Sequence, residues 1–88
     1  MRLKIQLETV EIEDSIIAVP VGEQASIYQG VIKLNEVGAD ILHLLNNDIT
    51  EEKIADELEG KYEVKRDKLL SDIHLFIDEF NKRGLLVE

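Results

Sequence analysis

The N-terminal part of the chain alternates apolar and polar residues, which is the spacing of β-strands. Between residues 3 and 12 this alternation predicts strands with one buried face. Residues 16–21 are almost continuously apolar and predict a strand covered on both faces, with Pro20 at its edge or end. Residues 31–34 form the third predicted strand. The alternating apolar residues of the first segment are Leu3, Ile5, Leu7, Val10 and Ile12.

The pattern changes from strand to helix at residue 35. Asn35 is a preferred N-cap, because its side-chain oxygen accepts a hydrogen bond from an otherwise unpaired backbone N–H. Glu36 then lies in the first turn, where the helix dipole favours a negative charge. An edge strand that runs straight into a core helix is therefore the predicted centre of the domain. The apolar residues that repeat with helical spacing are Val37, Ile41, Leu44 and Leu45.

Two further helices are predicted. Thr50 is a suitable N-cap for a second helix over residues 50–62, which is short and acidic. The third helix, residues 65–83, has the strongest apolar repeat and ends before Gly84, a typical residue after a helix C-terminus. Residues 85–87 are predicted to return as a short strand or clamp. The stripe of the third helix consists of Leu69, Ile73, Phe76, Ile77 and Phe80.

Three short N-terminal antiparallel strands followed by three helices describe an α+β fold that is winged helix-turn-helix-like, with the wing first. Eighty-eight residues allow a single domain over residues 1–88. The polar connection over residues 22–30 carries Ile27 and Tyr28, which we expect to fold back onto the core.

The charge is uneven along the chain. The net charge is −9, and residues 36–63 carry nine carboxylates but only two lysines. Because nucleic-acid binding draws on neutralised phosphates, no nucleic-acid partner is expected. The absence of cysteine excludes disulfides and thiolate metal sites. With no signal-peptide pattern and no run of roughly 18 apolar residues, we expect a cytoplasmic protein without a membrane partner.

No catalytic arrangement emerges from the sequence. The serines lie in no nucleophile-elbow context, and the glycines are too scattered for a phosphate loop. His43 is predicted to be solvated, since it lies opposite the apolar face of the first helix. The acidic second helix is interpreted as a solvated face. The sequence therefore predicts a protein that is not an enzyme and that carries no cofactor or metal.

An interaction surface is the stronger prediction. If residues 31–34 form an edge strand, their free N–H and C=O groups can accept an extended peptide by β-augmentation. Leu70 and Ile77 lie off the centre of the third-helix stripe and could line a neighbouring groove, or could simply complete the core. His74, beside the stripe, is open to the same two interpretations. Leu75 points almost the opposite way and is either a surface leucine or part of a partner face.

Three segments together resemble the PqqD family of peptide chaperones, also called RiPP recognition elements. Residues 30–42 read G-V-I-K-L-N-E-V-G-A-D-I-L, similar to the family's leucine-asparagine-glutamate pattern before its first helix. Residues 50–58, T-E-E-K-I-A-D-E-L, resemble its second helix. Residues 72–86 resemble its third helix and the segment after it, with Phe76, Phe80 and Gly84 in matching order. The resemblance covers nearly the whole chain.

The resemblance implies a domain that binds the leader of a ribosomally made precursor peptide and presents it to a modifying enzyme, often of the radical SAM type. In the family, the leader pairs with the third strand and lies against the third helix. The backbone-pairing positions implied here are Val31, Ile32, Lys33 and Leu34, and the groove positions are Leu70, Ile73, His74 and Ile77. Ile73 is also a core candidate.

Two other functions remain open at the level of sequence. A winged-helix regulator would dimerise or bind DNA, and a weak homodimer is one expected form. The third helix has basic residues that could contact DNA, but acidic residues offset their charge. A purely structural subunit is the other alternative. The basic residues are Lys65, Arg66, Lys68, Lys82 and Arg83, and the acidic ones are Asp67, Asp72, Asp78 and Glu79.

Overall fold

The computed structural model describes residues 1–22 and 30–87. Five strands and three helices lie in this part of the chain, and the helices follow a three-stranded antiparallel sheet, which confirms the predicted α+β class. The likeness to a winged helix-turn-helix stays a prediction. The elements are β1 (Arg2–Leu3), β2 (Leu7–Ile12), β3 (Ser15–Pro20), β4 (Ile32–Leu34), α1 (Glu36–Leu44), α2 (Glu51–Glu59), α3 (Arg66–Lys82) and β5 (Leu86–Val87).

The strands form two separate sheets. The larger has the order β2-β3-β4, and the smaller pairs β1 with β5 from the opposite end of the sequence. A tight turn joins β2 to β3, and Glu13 in that turn has a φ of 58°. In the register of the larger sheet, Ile17 lies between Val10 on β2 and Lys33 on β4. The predicted return of the C-terminal segment as a short strand is confirmed by β5.

The predicted burial of the first strands is wrong in two respects. Val10 and Ile12 are 40% and 55% exposed, because Leu7 points inward and the pleat then turns residues 9 and 11, not 10 and 12, towards the helices. Residues 16–21 are not covered on both faces either, since Ala18 alone is buried on β3. The outward face of this sheet meets no helix of the described chain.

The described core has two parts. The helical cluster joins α1, α2 and α3, and the sheet cluster joins the three-stranded sheet to α1, α3 and Leu85. Phe76 packs against both clusters. The buried members of the helical cluster are Ile41, Leu45, Ile54, Ala55, Leu58, Leu69, Ile73 and Ile77; those of the sheet cluster are Leu7, Ala18, Ile32, Leu42, Phe80 and Leu85.

The predicted helix starts are confirmed by their caps. The Asn35 side chain accepts a hydrogen bond from the Gly38 N–H at 2.7 Å, and Thr50 accepts one from the Lys53 N–H at 3.2 Å. α2 ends at Glu59, three residues earlier than predicted, near Gly60, which is a poor helix former. Gly84 follows α3 with a φ of 72°, a conformation that favours glycine.

None of the helices in the described part of the chain is long and apolar enough to cross a membrane. The sequence-based expectation for Ile27 and Tyr28 falls in the connection between β3 and β4, at residues outside the described ranges.

Candidate functional site

β4 lies at one edge of the three-stranded sheet, as the sequence predicts for residues 31–34. It pairs with β3 on one side, and no other strand of the described chain pairs with it. Ile32 is buried and Leu34 is half-buried, so these two side chains face the core, while Lys33 is exposed on the opposite face. Val31 precedes the strand and is 60% exposed. Within residues 1–22 and 30–87, the strand thus has apolar support behind it and one edge that no strand pairs with.

A pocket of about 360 Å³ begins where β4 ends. Its walls come from the start of α1 and from one flank of α3, and we call it the junction pocket. A strand added to the edge of β4 would have this pocket near its end, within reach of one of its side chains. The lining residues are Asn35, Val37, Gly38, Ile41, Lys68, Asp72, Leu75 and Phe76.

Glycine at position 38 allows α1, β4 and α3 to approach one another here. Gly38 is buried, and a Cβ built on it would lie 3.3 Å from Cε2 of Phe76 and 3.5 Å from Cδ2 of Leu34. The Phe76 ring is held by stacking on Phe80, with ring centroids 4.2 Å apart. The aromatic wall of the junction pocket is therefore packed against a buried member of the sheet cluster.

The rim of the pocket carries a charged pair and an exposed leucine. Lys68 Nζ lies 2.7 Å from Asp72 Oδ1, one turn further along α3, and both side chains are accessible to solvent. Leu75 is 64% exposed. An apolar floor with a polar rim is typical of sites that bind an extended peptide.

None of the four residues of α3 that the resemblance implied lines the junction pocket. Ile73 is fully buried and Ile77 is 8% exposed, both in the helical cluster, and the half-buried Leu70 packs against that cluster. His74 is exposed, and its Nδ1 lies 3.1 Å from Glu51 Oε1 on α2. The structure therefore brings these residues together with α2, and does not bring Leu70 or His74 to the junction pocket. Peptide contact by these positions stays a prediction.

Sequence reasoning missed the residues that line the pocket beside β4. His74 and Phe76 are two positions apart, which separates them by about 160° around a helix, so they mark opposite flanks of α3. The helical repeat predicts Phe76 in the core stripe and leaves Leu75 as either a surface leucine or part of a partner face. The available signal was Gly38, since a glycine in the first turn of an amphipathic helix indicates that another element approaches closely.

A polar corner fixes α1 against the segment that follows α2. The Tyr62 hydroxyl donates to Asp40 Oδ2, and Lys61 Nζ lies 2.9 Å from the same oxygen. Burial raises the pKa of Asp40, but the hydrogen bonds from Tyr62 and Lys61 outweigh it and leave that pKa below its ordinary value. Burial, followed by the hydrogen bond to Asp40, raises the pKa of Tyr62 to about 12.

The basic residues of α3 are largely neutralised within the protein. Arg66 binds Asp56 and Glu59, Lys68 binds Asp72, Lys82 binds Asp78, and Arg83 binds Glu79, all between 2.7 and 3.1 Å. A DNA-reading helix would need such charges for phosphates. The regulatory alternative is therefore not favoured. His43 is exposed, as predicted.

Two solved structures share this fold. One is described as TbiB1 in complex with the TbiA(beta) leader peptide: it is 22% identical, with a TM-score of 0.70 over 98% of this chain and 94% of that chain. The other is described as lasso peptide synthetase B1 complexed with the leader peptide: it is 20% identical, with a TM-score of 0.69 over 99% and 96% of the two chains. At these identities the likeness establishes the fold. Comparison with curated proteins gives no match.

The sequence also matches a family model. The model is that of coenzyme PQQ synthesis protein D (PqqD), and the matched region, residues 12–86, runs from the end of β2 to the start of β5. It includes β4, the junction pocket and the whole of α3, so the resemblance noted from the sequence is confirmed. This chain therefore belongs to the PqqD family.

Proposed function

We propose that the chain is a non-enzymatic adaptor that binds the leader of a ribosomally synthesised precursor peptide and presents it to a modifying enzyme, for example of the radical SAM type. Membership of the PqqD family supports this proposal. So do the two structures that share the fold, both of which are described as complexes with a leader peptide. The observation that carries the proposal is the edge strand β4, which ends at a pocket lined by both apolar and charged side chains.

The leader adds to β4 as a fourth strand of the larger sheet. Backbone hydrogen bonds to residues 32–34 supply affinity that does not depend on sequence, and alternate side chains of the leader point towards or away from the protein. Near the end of β4, an inward apolar side chain enters the junction pocket, between Phe76 and the first turn of α1. Burying such a side chain contributes about 1.5–3 kcal/mol.

The leader runs along the flank of α3 that carries Asp72, Leu75 and Phe76. This placement differs from the one that the resemblance implied, because Leu70 and His74 face α2. The acidic surface of α2 remains exposed in this arrangement, with Glu52, Asp56 and Glu57 open to solvent. It can steer the adaptor towards a basic surface on the modifying enzyme.

The direct test is a titration of the ¹⁵N-labelled protein with synthetic leader peptides of candidate precursors. We expect the largest amide shifts at residues 32–34, at Gly38 and along the Phe76 flank of α3. Shifts confined to the acidic helix α2 would contradict the proposed site.

Two substitutions of exposed residues on α3 distinguish its flanks. Leu75→Glu places a charge at the pocket rim and should weaken leader binding about tenfold or more, since each 1.4 kcal/mol is a factor of ten. His74→Ala, on the opposite flank, is the matched control and should leave the dissociation constant within about twofold. Both variants should fold, because neither side chain is buried. The reverse result would place the groove on the Leu70 and His74 side.

A further inference from the structure

Lys33 occupies an unusual position in this acidic chain. Between residues 5 and 52 it is the single Lys or Arg, against ten carboxylates in the same stretch. It lies at the centre of β4, and its exposed side chain projects from the outward face of the sheet. A basic residue is therefore placed in the middle of the strand that the proposed function uses for peptide pairing.

The charge of Lys33 is not neutralised by the described chain. No carboxylate in residues 1–22 or 30–87 forms an ion pair with it, whereas three basic residues of α3, and Arg83 just after it, are paired. Its cross-strand neighbour on β3 is Ile17, which is followed on β2 by Val10. The outward-facing side chains next to Lys33 on the β3 side are therefore apolar. On the other side of β4, no strand of the described chain pairs with it.

A peptide strand paired with β4 would continue this row. The side chain directly opposite Lys33 would have its Cβ roughly 4.5–5.5 Å from the lysine Cβ, close enough for charges to interact across the strands. Opposite charges at such positions stabilise pairing, and like charges oppose it.

We propose that Lys33 determines leader specificity by selecting peptides with Asp or Glu at the outward position opposite it, flanked by apolar residues that face the protein. This inference rests on the proposed function and specifies its ligand. Net charge alone would predict the opposite preference, because a chain of net charge −9 attracts basic peptides. It also differs from a purely protective role, in which an edge lysine only prevents self-pairing.

A random twelve-residue peptide library displayed on phage tests the proposal without knowledge of the natural leader. The library is panned separately on the wild-type protein, on Lys33→Glu and on Lys53→Glu. The last variant is the matched control, because Lys53 is exposed on α2 and its replacement changes the net charge by the same amount. We expect wild type and Lys53→Glu to enrich Asp or Glu between apolar positions, and Lys33→Glu to enrich Lys or Arg there.

Two synthetic peptides taken from the enriched set, differing only by Glu or Lys at the outward position, then give the magnitude. By fluorescence anisotropy, the wild type should prefer the Glu peptide by roughly threefold to tenfold, and Lys33→Glu should reverse the preference. An identical preference on both proteins, or enrichment of basic residues by the wild type, would overturn the role of Lys33.

The same panning separates failure of this inference from failure of the proposed function. Peptides that bind the wild type but not Leu75→Glu use the junction pocket, so a missing charge preference among them rejects the Lys33 proposal alone. If no peptide is enriched, both the pocket and the specificity proposal are rejected. If enriched peptides bind Leu75→Glu equally well, the junction pocket is rejected, and the charge preference decides the Lys33 proposal.

Discussion

The helical cluster and the three-stranded sheet differ in how completely they bury their apolar residues. Ile54 and Ile73 in the helical cluster are fully buried, as is Leu45 at the end of α1. On β2, by contrast, Leu7 is the single buried residue, and Val10 and Ile12 remain exposed. The helices therefore supply most of the apolar burial that stabilises so small a domain.

The comparison indicates a division of roles. A strand that binds another backbone needs one edge free of pairing, and among the described strands β4 has such an edge. Most of the large, fully buried apolar side chains of the described chain belong to the helical cluster. Asn35 and Gly38 join the two regions, because β4 leads directly into the cap of α1.

The largest predicted effect on stability lies in the helical cluster. Ile54→Ala should lower the free energy of unfolding by about 2–5 kcal/mol, because Ile54 is 0% exposed and its removal leaves a cavity. Ile12→Ala on β2, where the side chain is 55% exposed, is the matched control and should change stability by less than about 0.5 kcal/mol. Urea denaturation followed by circular dichroism measures both. Equal losses would refute the division of roles.

An intermediate effect is expected at the junction. Asn35→Ala removes the acceptor of the Gly38 N–H and should cost about 1 kcal/mol. Asn35→Asp keeps an acceptor and should retain most of that stability. Hydrogen exchange should become faster at Gly38 and also on β4 in Asn35→Ala. An effect confined to α1 would show that the cap does not couple the sheet to the helices.

The smallest effect is expected at the polar corner. Tyr62→Phe should destabilise the fold by about 0.5–1.5 kcal/mol at neutral pH, since Asp40 loses a hydrogen bond. The pKa of Tyr62 is raised from 10.0 to about 12, so the neutral tyrosine contributes fully below pH 10 and loses this contribution as the pH rises towards 12. The stability difference between wild type and Tyr62→Phe should therefore shrink over this range. A constant difference would mean that the pKa of Tyr62 is the same in the folded and the unfolded protein.

The pKa of Asp40 predicts a second pH dependence of stability, at acidic pH and with the opposite sign. The pKa of Asp40 is lowered from its ordinary value of 3.8, so its ion pair with Lys61 contributes above that pH and is lost as the pH falls further. Asp40→Asn should therefore differ from wild type at neutral pH and converge with it in acid. Thermal unfolding across the pH range measures both limbs.

The sequence was most informative where structure depends on neighbouring residues. The caps at Asn35 and Thr50 and the turn at Gly84 were all predicted correctly, because each depends on hydrogen bonding or on a backbone conformation within a few positions. It was least informative about burial on the strands. The apolar positions change from odd numbers, up to Leu7, to even numbers, from Val10 on. The sequence does not show which of these two sets faces the helices.

By itself, the sequence determined an α+β chain with an edge strand leading into a capped helix, together with its resemblance to the PqqD family. The tertiary structure decided that β1 pairs with β5 and that the Phe76 flank of α3, not the Leu70 flank, lies beside β4. Both flanks border the same apolar stripe and look alike in a helical repeat. The choice between them depends on where α2 packs, and contacts between distant parts of the chain set that position.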